Sequence, residues 1–240
     1  KYKISPSYTI FEDTHQKAAN YVSYFYPPRL LPPNIFINKN STIFSAIYFQ
    51  KNHPNDKICL LNFADAFKAG GGYLNGRSPQ EETLCRQTLL YPALKSNEDM
   101  YNFNKSEPQN AILYDTMIYS TNVVVIRDDN YDLLKQPFCV DVISAPAVDQ
   151  RKQYVDFDPY LVMERRIRKI VLLAVYSEVR ILVLGAFGCG IFKNDPKIIS
   201  RIFYKVLVNE GLRNYFKFVI FPIYKSENSY EIFVNALDIK

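Results

Sequence analysis

Residues 69–86, AGGGYLNGRSPQEETLCR, decide how this chain must be read. Gly70, Gly71 and Gly72 stand in a row. They offer no side chain to pack and they cost backbone entropy, so packing does not explain them. They suit main chain that passes very close to a sugar or phosphate, or that adopts positive φ. After them, Ser78-Pro79-Gln80-Glu81 predicts a helix start, with Ser78 as N-cap, Pro79 at the first helical position and Glu81 three residues past the cap. Glu82 then falls in the first turn, facing backbone that the glycines leave open. A ligand loop opposite a carboxylate is the expected outcome.

Working outward, Ile58–Phe63 is an apolar run behind a polar turn, the form of a buried strand. It delivers Asn62 and the glycine loop at its C-terminal end, where ligands of α/β sheets collect. A second loop, Gly185-Ala186-Phe187-Gly188-Cys189-Gly190-Ile191-Phe192, follows another buried run, Ile181–Leu184. Consecutive exposed N–H groups between strand and helix make a concavity suited to an anion. Neither His15 nor His53 stands in a pattern that would make Cys189 a nucleophile, so a small residue in a phosphate loop is the expectation.

GGG, seven residues and QEE together resemble the signature of poly(ADP-ribose) glycohydrolases. The surrounding LLNFADAFKAGGGYLNGRSPQEETLCRQTLLYP is similar to their microbial branch. VDVISAP, LGAFGCGIFKNDP and FVIFPIY extend the resemblance over nearly the whole chain. It implies one catalytic domain over residues 1–240: a three-layer α/β/α macrodomain with a mixed, largely parallel central sheet and an N-terminal helical extension. It also implies cleavage of ribose–ribose bonds in poly(ADP-ribose), with Glu82 as the catalytic acid and base and Glu81 orienting the ribose. The same resemblance gives substrate-binding roles to Asn62, Gly70, Gly71, Gly72 and Gln80. Gly188, Cys189, Gly190 and Ile191 would grip the diphosphate, and Phe192 would lie against the distal ribose. Ser144-Ala145-Pro146 also matches a family segment and would, on that resemblance, line the pocket. This chain has Asp65 where the family usually has Ser, and Ala69 where Pro is usual.

Adjacent helical residues point about 100° apart, so only one of Glu81 and Glu82 is expected at the scissile bond. That differs from the two opposed carboxylates of ordinary glycosidases. Substrate cover and the nearby diphosphate favour the protonated form that an acid needs. Release of single ADP-ribose units from protein or nucleic acid remains open, as does binding without cleavage. The expected partners are poly(ADP-ribose) or ADP-ribosylated macromolecules, with ADP-ribose as product. No cofactor, metal or membrane is expected, and the chain is read as an intracellular monomer.

Composition fits that picture. The chain has 240 residues, 48% hydrophobic and 22% charged, with 29 basic against 24 acidic side chains. The resulting +5 comes without any basic run of the kind nucleic-acid arms carry. Cys59, Cys85, Cys139 and Cys189 lie in or beside apolar runs, which predicts buried, reduced thiols. The longest apolar stretches are too short to span a bilayer. Asp128-Asp129-Asn130-Tyr131-Asp132 is oxygen-rich but lacks the rest of a calcium loop, and reads as a solvated turn.

Among other elements, Asp13 or Thr14 is expected to cap a helix through Phe25, and Ser41-Thr42 to open a second one. Pro27, Pro28, Pro32 and Pro33 imply an extended passage. The helix from Pro79 is expected to end near Tyr91-Pro92, and Ser96–Ala111 to be irregular. Met117–Ser120 and Val123–Arg127 suggest a hairpin, with Phe138–Ser144 a further strand. Tyr160–Ala174 reads as a core-facing helix with Arg165, Arg166, Arg168 and Lys169 mostly on a solvated side. Pro196 opens a helix that Gly211 stops, and Phe216–Ile223 closes the sheet.

Overall fold

Strand β3 (Ile58–Phe63) is apolar on both faces because it lies at the middle of a sheet covered on both sides. The computed structural model describes residues 6–25, 34–107, 109–154 and 156–237. The proline passage at 27–33 lies outside them. One seven-stranded sheet runs in the order β1 (Ser7–Ile10), β4 (Met117–Arg127), β5 (Leu133–Ala145), β3, β6 (Ile181–Val183), β7 (Phe218–Pro222), β2 (Asn34–Asn38). β3 pairs parallel to β5 and β6, and β6, β7 and β2 continue in parallel. β4 pairs antiparallel to both β1 and β5. The mixed, largely parallel sheet is as expected.

Helices fill both faces. On one, α7 (Pro159–Tyr176), α8 (Pro196–Tyr204) and α9 (Glu227–Leu237) close a core around Leu61, Ile143, Leu182 and Phe221. The N-terminal helix α1 (Glu12–Phe25) packs against α7. On the other, α2 (Thr42–Asn52), α3 (Gln80–Gln87), α4 (Leu90–Lys95) and α5 (Asp99–Ser106) cover Leu60, Val142, Val183 and Ile220. Alternate residues of each strand thus feed opposite cores, the two-fold period that makes a three-layer fold.

Several local expectations are corrected. α1 begins at Glu12, so Asp13 lies in its first turn and is not a cap. The helix from α3 breaks at Thr88, which bridges to Val125, and Pro92 sits in the first turn of α4, where its missing N–H removes no helical bond. Within the stretch expected to be irregular, Asp99–Ser106 forms α5 and Asn110 opens α6 (Asn110–Leu113), with Met100, Tyr101 and Asn104 buried. Met117–Arg127 is one strand with a bulge between Ser120 and Val123, where Asn122 takes φ 53°. Its hairpin partner is β5, and the turn is Asp128–Asp132, in which Asp128 Oδ1 accepts from Asn130 N and Asp132 N. Cys139 is exposed, although Cys59 and Cys85 are buried as predicted.

The basic side of α7 is not solvated throughout. Arg166 is completely buried, and so is the Asp115 carboxylate it meets at 3.1 Å. Arg166 also donates to the carbonyls of Pro146 (2.7 Å), Ala111 (3.0 Å) and Tyr114 (3.2 Å). Arg165 and Lys169 reach the same carboxylate at 2.5 and 2.9 Å. Burial works to raise Asp115, but these three cations outweigh it and hold it at about 2.

Candidate active site

Because β3, β5, β6 and β7 run parallel, the loops that follow them gather at one edge of the sheet. β6 leaves β3 after Val183, so the side of β3 facing β6 is open at Leu61 and Phe63. Gln80 fills the gap: its Nε2 donates to Leu61 O and its Oε1 accepts from Phe63 N, both at 2.8 Å. The side-chain amide stands in for a strand and fixes the start of α3 to the end of β3. Gln80, expected to bind substrate, has its amide committed to this clamp.

Ser78 does not cap α3. The helix starts one residue later than expected, with Pro79 at the cap position, no side-chain cap bond, and Thr83 Oγ1 donating to Ser78 O. Glu81 is therefore released from a capping box and turns inward, to 3% exposure. Its Oε1 accepts from Asn62 Nδ2 at 3.2 Å and its Oε2 from Asp65 N at 2.8 Å. Asn62 is itself fully buried and also donates to Ser144 Oγ at 3.0 Å. Glu82, at 6% exposure, accepts at Oε1 from Gly72 N at 2.9 Å. Its Oε2 has no hydrogen-bond partner among the described residues.

The two carboxylates leave the helix in different directions yet both close on Gly71. A Cβ there would stand 2.9 Å from Glu82 Oε1 and 3.0 Å from Glu81 Oε2, and φ is +53°. Glycine is required at that position on both counts. Under the loop, Gly70 rests on the Tyr91 ring, which packs on Tyr73 at 4.9 Å between centroids. Asp65 has a definite job: its Oδ1 accepts from Phe67 N and Lys68 N and holds the turn that leads to the glycines.

Phe63, at the end of β3, packs on the second glycine loop. Its ring lies 5.6 Å from Phe187 and against Gly185. In the second loop, Gly188 takes φ +76°, and a Cβ would come within 2.6 Å of Asn194 Nδ2 and 2.8 Å of Ala147. Asn194 Nδ2 donates to Val148 O and Gly188 O, which ties this loop to the one following β5. Gly190 is exposed and a Cβ would meet nothing within 4 Å. Phe192 is half-buried, with the Arg151 guanidinium 5.5 Å above its ring. Burial, and then Asp195, push the Cys189 thiol up to about 12, which keeps it protonated. Tyr91, Asn194 and Arg151 act across the fold and leave no local pattern in the sequence.

Residues 8–128 match the family model described as "Microbial-type PARG, catalytic domain". The chain belongs to the microbial-type poly(ADP-ribose) glycohydrolase family. Solved structures agree over nearly all of it. The poly(ADP-ribose) glycohydrolase of Thermomonospora curvata matches with a TM-score of 0.87 and 28% identity, covering 96% of this chain and 85% of that one. The same protein bound to the inhibitor ADP-HPD matches at 0.83 and 28%, covering 95% and 84%. The Deinococcus radiodurans glycohydrolase in complex with ADP-ribose matches at 0.86 and 27%, covering 97% and 94%. No curated protein sequence matches the chain. As a family member it is a glycoside-cleaving enzyme, and no helix among the described residues is long and apolar enough to cross a membrane.

Burial pushes the Glu81 carboxyl up to about 8, against the opposing pull of Asp65 N and Asn62. In the unfolded chain it returns to the ordinary 4.5. Between those values the folded state binds the extra proton, so stability falls as pH rises from about 4.5 to about 8 and levels off above. Thermal melts of the wild type should lose at least about 1 kcal/mol, roughly 2–4 °C, between pH 6 and 9. Glu81→Gln should not show that loss. Equal pH dependence in both proteins would place the ionised form of Glu81 in the fold.

Proposed function

We propose that the chain hydrolyses the ribose–ribose O-glycosidic bonds of poly(ADP-ribose) and releases ADP-ribose, with Glu82 as the single acid and base. One observation carries the choice of Glu82. Both oxygens of Glu81 are occupied by Asn62 and Asp65, whereas Glu82 has one oxygen held by Gly72 and the other without a partner among the described residues. Glu82 donates its proton to the leaving ribose oxygen as the bond from C1″ to that oxygen breaks. The C1″ centre passes through an oxocarbenium-like state, water adds there, and the water's proton returns to Glu82. Glu81 and Asn62 position the ribose. Gly70, Gly71 and Gly72, whose missing Cβ atoms make room for Tyr91, the two glutamates and the Arg77 stem, bring the loop backbone to the substrate. Gly188, Cys189, Gly190 and Ile191 bind the diphosphate, and Phe192 lies against the distal ribose. Residues 1–240 act as one catalytic unit.

The test is turnover on three labelled substrates: poly(ADP-ribose), a mono-ADP-ribosylated protein and ADP-ribosylated DNA. Release of ADP-ribose from the polymer is expected. Release from only one of the others would move the substrate class, and tight binding of ADP-ribose without any cleavage would make the chain a reader. The diphosphate loop has a separate test. Gly190→Val meets open space, so the fold should be kept, while ADP-ribose affinity should drop at least about tenfold, or about 1.4 kcal/mol. Unchanged affinity would reduce the loop to a turn.

A further inference from the structure

Arg77 stands on the first glycine loop with an exposed side chain, and its guanidinium has no hydrogen-bond or ion-pair partner among the described residues. Its stem is nevertheless fixed. The aliphatic part lies on Gly72, where a Cβ would come within 2.4 Å of Arg77 Cδ, and Arg77 N donates to Gly72 O at 3.3 Å. Arg86 Nη2 in turn donates to Arg77 O at 2.6 Å. Arg86 has no carboxylate partner among the described residues either, so two uncompensated cations share this lip of the loop. Gly72 is also the residue whose N–H holds Glu82 at 2.9 Å. A planar, permanently charged donor set is thus built onto the backbone that carries the proposed acid.

We infer that Arg77 is a specificity-determining residue that binds a phosphate on the leaving-group side of the scissile bond. This rests on the polymer substrate proposed above. The diphosphate of the unit being released is assigned to the second glycine loop, which packs on Phe63 through Phe187. The leaving group in a polymer is the adenosine ribose of the next unit, which carries its own diphosphate a few bonds from the departing oxygen. A protein side chain as leaving group offers no such anion. An unpaired guanidinium on the Glu82 side therefore favours polymer over mono-modified protein, through charge-assisted hydrogen bonds to phosphate.

Arg77→Gln keeps most of the stem on Gly72 and removes the charge. With poly(ADP-ribose) at low salt, KM should rise about tenfold with kcat within about twofold, the pattern of binding lost equally from ground and transition states. Inhibition by free ADP-ribose, which lacks the leaving-group unit, should change less than about twofold by the same logic. Arg77→Lys should recover much of the loss, and the salt dependence of KM should flatten in Arg77→Gln. An unchanged polymer KM in Arg77→Gln would overturn the inference. So would equal weakening of polymer and ADP-ribose, which would assign Arg77 to the released unit. Polymer left intact by the wild type would instead remove the substrate proposal underneath.

Discussion

Glu82→Gln should abolish turnover while leaving ADP-ribose affinity within about threefold of wild type, a difference of about 0.7 kcal/mol. The amide preserves size, and its oxygen can still accept from Gly72 N, so the loop has no reason to move. It cannot give up and recover a proton. General acid–base groups contribute about 10²- to 10⁴-fold, and the neighbouring carboxylate cannot substitute because Asn62 and Asp65 hold both of its oxygens. Glu81→Gln can satisfy only one of those two donors, so the ribose is held less firmly and the defect should be partial. Steady-state turnover with labelled polymer and calorimetric titration with ADP-ribose check both variants. Equal defects would mean that the two glutamates work as one unit.

The largest effect on stability is expected from Arg166→Leu. The side chain is fully buried, pairs with a fully buried Asp115 and satisfies the carbonyls of Pro146, Ala111 and Tyr114. Removing one member of such a buried pair costs about 3–5 kcal/mol, because the remaining groups lose their partners where no water replaces them. Arg165 and Lys169 still neutralise Asp115, so the lower half of that range is expected. Pro146 opens the loop that braces Gly188 through Ala147 and Val148, so ADP-ribose affinity should weaken as well. Urea unfolding measures the first effect; a loss under about 1 kcal/mol would mean that the buried pair contributes little to stability.

The elements nearest the site were legible because they combine a buried apolar run with glycines that packing alone does not explain. Ile58–Phe63 with Gly70, Gly71 and Gly72, and Ile181–Leu184 with Gly188, are of that kind. β2 leaves little signal because NIFIN is short and preceded by prolines. β4 reads as two strands because Thr121-Asn122 is polar, yet the strand continues through a bulge that Asn122 accommodates at positive φ. α5 hides its apolar stripe, Met100 and Tyr101, among Asn, Lys and Asp. Arg166 looks solvated in the sequence because its partner Asp115 is far away along the chain and only folding brings them together. The same reason covers Gln80: its partners are backbone groups of β3 that open only because β6 diverges. The capping box at Ser78 failed because Glu81 gains more from Asn62 and Asp65 than from its own helix end.

The most direct test of the account is a crystal structure of the Glu82→Gln protein bound to an uncleaved segment of poly(ADP-ribose). The account predicts the oxygen between the two riboses within hydrogen-bond reach of the side chain at position 82, about 2.6–3.2 Å, on the side turned away from Gly72 N, with Glu81 still held by Asn62 and Asp65. A ribose–ribose oxygen seated over Glu81, or a polymer lying outside the space between the two glycine loops, would contradict it.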